Sequence, residues 1–104
     1  MPVLEQIVEL LGMPEQGTDA PTLARIEDTL TSGYAQALAL EAERLRLEKR
    51  LSEVARGAKV GLDEIPRELM SISDQLAYAD GELTRLRAVL DRLHERARAA
   101  RNGR

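Results

Sequence analysis

Few residues in this chain have types and spacing that could do chemistry. His94 is the single histidine, and Asp91 precedes it by one helical turn. A di-iron bundle takes Glu-x-x-His from each of two helices plus further inward glutamates. Here there is one Asp-x-x-His, and no acid stands on the apolar seams described below. A zinc site needs at least three converging ligands, yet no second histidine and no cysteine exist. His94 therefore reads as a flank residue placed to help neutralise Glu27 across a helix pair. Ser32, Ser52, Ser71 and Ser73 would have only His94 as a histidine base, and no glycine-rich nucleophile turn surrounds them. A phosphate-binding glycine loop is also missing. The expectation is a protein that is not an enzyme and carries no cofactor and no metal.

The second candidate chemistry is cationic. Residues 85–104 hold Arg85, Arg87, Arg92, Arg96, Arg98, Arg101 and Arg104 against Asp91 and Glu95, whereas residues 1–43 hold eight acids and Arg25 alone. An arginine-rich helix end could bind nucleic acid. These arginines, however, occupy several helix faces, and no aromatic residue interleaves with them for base stacking. Cations are also favourable at a helix C-terminus without any ligand. Nucleic acid is thus not the expected partner, although association through this arginine-rich end remains an alternative reading. A fold that lays the basic end beside the acidic one neutralises both, which favours an antiparallel arrangement.

The elements that would position these residues are helices. From Ile65 to Ala100 an apolar residue recurs at alternating steps of four and three: Ile65, Leu69, Ile72, Leu76, Ala79, Leu83, Leu86, Leu90, Leu93, Ala97, Ala100. Their mean period of 3.5 is that of a coiled-coil seam, and a seam demands a partner helix. The partner is the stretch from about Pro21 or Thr22 to Arg56, with Asp19 or Thr22 as its cap. Its seam reads Leu23, Ile26, Leu30, Gly33, Ala37, Leu40, Arg44, Leu47, Leu51, Val54. Gly57 to Asp63 reads as the connector, with Asp63 as the N-cap of the next helix. Each long helix spans about 35 residues, or roughly 52 Å. Folding at about residue 62 sets Leu23 near Ala100, Ala37 near Leu86, and Arg44 beside Ala79 with Asp80 next to it. Arg44, the lone charge on the seam, either pairs with Asp80 and fixes the register or extends to solvent.

Pro2 to Leu11 predicts a short amphipathic helix with Leu4, Ile7, Val8 and Leu11 on one face, ended by Gly12 with Pro14 beyond. Ten residues are marginal as an isolated helix, so this face should dock, in cis or on a partner. Gly12 to Ala20 is a linker by composition. The expected organisation is residues 1–20 as N-terminal helix and linker, and residues 21–104 as an antiparallel coiled-coil helical hairpin.

One hairpin leaves apolar surface over. Tyr34, Leu38 and Leu45 lie off the seam of the first long helix, and burying a leucine fully contributes about 1.5–3 kcal/mol. A second copy would cover them, so the fold class predicted is all-α, with the hairpin dimerising into a four-helix bundle. The predicted function is that of a non-catalytic structural or adaptor protein acting through self-association and protein–protein binding. Its partners would be a second copy and an unidentified protein. No apolar run approaches the roughly 18 residues of a membrane span, and no secretory leader is evident. The expectation is a cytoplasmic protein without a membrane partner.

Asp63 and Glu64 would stand at the hairpin tip. In architecture this resembles the coiled-coil fingers of bacterial transcription factors that enter the RNA polymerase secondary channel and present tip carboxylates. The resemblance covers the hairpin and those two acids, and it implies a polymerase regulator as the alternative function. The bland reading of both acids is an N-cap and a first-turn charge complementing the helix dipole. Tyr78-x-x-x-Glu82 is similar to the tyrosine–acid signal of small secreted helical hairpins, but it lies mid-helix and no Trp-x-Gly turn is present.

Overall fold

The structure, a computed structural model, describes residues 2–57 and 65–103. Those residues form three helices and no strand: α1 (Pro2–Leu11), α2 (Leu23–Arg56) and α3 (Ile65–Asn102). Asp63 and Glu64, expected at the hairpin tip, lie outside the described residues.

Local signals account for the helix ends. The Thr22 hydroxyl accepts the Arg25 N–H at 3.1 Å, and the Ile26 N–H donates to the Thr22 carbonyl at 3.1 Å. Thr22 is thus the N-cap of α2, satisfying a backbone donor that the first turn cannot. At the end of α1 the Gly12 N–H reaches the Val8 and Glu9 carbonyls at 3.0 and 3.1 Å, and the Met13 N–H reaches Leu10 at 3.2 Å. Between these helices Gly17 turns the chain with φ of 99°, a region that glycine enters freely and side-chain-bearing residues avoid.

α2 and α3 pack against each other through the two apolar seams, consistent with a hairpin. On α3, Ile72, Ala79, Leu83, Leu86, Leu90, Leu93 and Ala97 are buried, while Leu69, Leu76 and Ala100 are half-buried. On α2, Ile26, Leu30, Gly33, Ala37 and Leu47 are buried. The remaining α2 seam positions are half-buried.

The chain forms two compact units, both crossed by the long helices: Met1–Leu38 with Thr84–Arg104, and Ala39–Leu83. In the first unit α1 and its linker join the ends of α2 and α3. Ile7 and Leu10 are fully buried there, and Leu86, Leu90, Leu93 and Ala97 of the same unit are buried as well. Glu27 pairs with Arg101 at 2.9 Å in this unit. The second unit holds the middle stretches of α2 and α3, where Arg44 pairs with Asp80 at 3.2 Å and Arg50 with Glu68 at 2.8 Å. In the second unit the partner number on α3 falls as that on α2 rises, and in the first Gly33 faces Leu90 where Glu27 meets Arg101.

Candidate functional site

The most developed constellation lies in the first unit, where α1 meets the two long helices. Gly33 explains its own place on the seam. A Cβ there would stand 2.4 Å from Leu90 Cδ2 and 3.2 Å from Ile7 Cδ1. The missing side chain is therefore the space into which α3 and α1 both reach. At the other end of α1, Arg96 of α3 closes the helix. Its Nη1 donates to the Leu10 and Leu11 carbonyls at 2.8 and 2.9 Å, and its Nη2 donates to the Met13 carbonyl. Helices end with unsatisfied carbonyls that carry partial negative charge. α1 has no basic residue in its own last turn, so a part-buried guanidinium from α3 supplies what α1 lacks.

Of the face predicted for α1, Ile7 is buried, Leu4 and Leu11 are half-buried, and Val8 is 55% exposed. Leu10, which the sequence reading did not single out, is buried beside Ile7. The docked face is therefore centred between Ile7 and Leu10. Arg25 of α2 adds an exposed ion pair to Glu9 at 3.9 Å, a contact that contributes little in water.

Arg44 combines the two arrangements considered for it. Its side chain lies on the seam and is about one-third exposed, with Nη1 on Asp80 at 3.2 Å and Nε 3.6 Å from Glu48. Nε is itself buried and makes no hydrogen bond. Asp80 is the residue beside Ala79 that the register arithmetic selected. Glu27, by contrast, takes its partner from Arg101 rather than from His94, which is exposed. A guanidinium brings several donors to one carboxylate.

The three residues predicted for self-association are all exposed: Tyr34 45%, Leu38 67% and Leu45 63%. They follow one another on α2 at steps of four and seven, so they share one strip of that helix. The second unit exposes Met70 and Tyr78 of α3 as well. Tyr78 lines an open groove of ≈ 390 Å³ with Leu40, Leu47 and Ala79, edged by Glu43 and Asp74. Neither tyrosine nor methionine here interrupts a seam, so the periodicity that revealed the core could not reveal this groove.

No cluster of three or more His, Cys, Asp or Glu side chains that could hold a metal is found among the described residues. None of their helices is long and apolar enough to cross a membrane. Compared with family models, with curated proteins and with solved structures, the chain matches none.

Proposed function

We propose that this chain is a non-catalytic structural or adaptor protein, cytoplasmic, built on an antiparallel coiled-coil hairpin that pairs with a second copy and engages other proteins through its helical surface. The observation that carries this reading is the exposed strip Tyr34, Leu38 and Leu45 flanking the packed seam of α2. Covering each leucine is worth about 1.5–3 kcal/mol, and an apolar strip of that length on a solvated helix marks an interaction surface. The descending partner order of α3 along α2 supports the antiparallel pairing. Four such helices in a two-fold bundle would bury the strip against its own copy.

Sedimentation equilibrium tests it. The wild-type chain is expected at twice the single-chain mass at micromolar concentration. Leu45→Glu, alone or with Leu38→Glu, is expected at the single-chain mass with its helical circular dichroism largely kept. A wild-type single-chain mass, or a double mass untouched by both substitutions, rules the strip out as the dimer interface.

A further inference from the structure

The groove that α1 fills has the features of a receptor for a short helix. Its floor is bare backbone at Gly33, so a side chain can sit directly on α2. Its walls bury two apolar residues three positions apart, Ile7 and Leu10. At its end Arg96 takes the three carbonyls of Leu10, Leu11 and Met13, which is a requirement for a helix that stops there. None of these contacts depends on α1 belonging to the same chain as the groove.

What holds α1 to its own groove is the segment between Gly12 and Thr22. In it, Gly12 and Pro14 to Asp19 are exposed. The chain reverses at Gly17, with φ of 99°, and the turn is closed by the Ala20 N–H donating to the Gly17 carbonyl at 3.2 Å. Eleven residues, if extended, reach about 36 Å, which is ample for α1 to arrive at a neighbouring molecule. Opening the turn sacrifices that local bond, and every contact of α1 is then made again on the other copy. Exchange of an identical element is a low-cost route to a dimer for this reason, and hinge segments control it.

We infer that the Gly33–Arg96 groove also accepts α1 from a second copy of this chain, with Gly17 as the hinge that sets the balance between own and exchanged helix. Docking on its own chain has the advantage of an effective concentration on the order of mM. That advantage disappears when the hinge cannot adopt the reversed conformation. A β-branched residue at 17 disfavours positive φ, whereas the extended linker of the exchanged form places no such demand on it. This inference goes beyond the strip on α2 and does not need it, since the contacting surfaces are different.

The test uses two full-length variants, Glu9→Cys and Arg25→Cys, at exposed positions whose side chains meet across the α1–α2 contact. The chain has no native cysteine, so each variant carries one thiol. The two are mixed and treated with a short bismaleimide. Exchange is expected to give cross-linked heterodimer several-fold above either homodimer, beyond the statistical mixture, and rising with protein concentration. Gly17→Val in both chains should raise that excess further. A statistical mixture in both the Gly17 and the Gly17→Val backgrounds overturns the inference. So does an excess that Gly17→Val leaves untouched, because the cross-link would then report some other contact. A two-chain sedimentation mass together with statistical cross-linking overturns the exchange while leaving the α2 strip standing. An excess that persists with Leu38→Glu and Leu45→Glu supports exchange without the strip.

Discussion

Arg96 and Arg44 both stand on or beside a seam, and their surroundings use the charge in opposite ways. Arg96 gives its donors to three backbone carbonyls at the negative end of α1. Hydrogen bonds to a charged group contribute about 1.5–3 kcal/mol net, so Arg96→Gln is expected to lower the stability in urea by about that amount. Arg96→Lys should fall between the two, because an ammonium cannot serve several carbonyls as a planar fork does. An unchanged urea midpoint for Arg96→Gln would mean that water serves these carbonyls equally well. Arg44 instead holds a buried Nε without a hydrogen bond and a partly exposed head on Asp80. Replacing a polar seam group by a well-packed apolar one is often neutral or stabilising. Arg44→Leu should therefore leave the melting temperature unchanged or higher by a few degrees, and a marked fall would show that the ion pair matters more than the seam. The Arg44–Asp80 pair was legible in the sequence because it follows from folding two heptad series at one connector. The Arg96 cap was not, since its partners are main-chain carbonyls and carry no residue signature. The one hint was the absence of a basic residue in the last turn of α1.

At the scale of elements, the end of α1 and the start of α2 follow closely from capping residues and the course of α3 from its periodicity, but the rotation of α1 does not. Its ten residues include Val3, Leu4, Ile7, Val8, Leu10 and Leu11. So many apolar positions on a short helix define more than one plausible face, and spacing alone favours Leu4, Ile7, Val8 and Leu11. The choice is made by tertiary packing. Gly33 accepts Ile7, and Arg96 requires the last carbonyls to point at α3, which together turn Leu10 inward and Val8 outward. Leu10→Ala is accordingly expected to cost about 2–5 kcal/mol, the range for truncating a buried leucine. Val8→Ala should stay within about 0.5 kcal/mol, as exposed substitutions do. Urea denaturation of both variants checks the ranking, and equal losses would place the docked face where the sequence alone puts it.

For the molecule as a whole, the two units differ in how many helices share the work of excluding water. The first has α1 laid on the ends of α2 and α3, and Leu86, Leu90, Leu93 and Ala97 are all at most 2% exposed. In the second, Leu40, Leu51, Leu69 and Leu76 are only half-buried, and Leu45, Met70 and Tyr78 are largely exposed. Local opening is easier where fewer apolar contacts are lost by it. Amide exchange is therefore expected to be faster by at least about tenfold, or about 1.4 kcal/mol, for Leu40–Leu51 and Leu69–Leu76 than for Leu86–Ala97. The same measurement separates an intrinsic weakness from an unfilled interface. If a second copy covers Leu38 and Leu45, raising the protein concentration should slow exchange around them, because ligation of the folded state by a partner adds stability through mass action. Leu45→Glu should abolish that concentration dependence while leaving Leu86–Ala97 protected. Uniform exchange across both units at a concentration too low for pairing would mean that the partly buried seam of the second is as stable as the three-helix core of the first. The apolar strip on α2 would then have no energetic need of a partner.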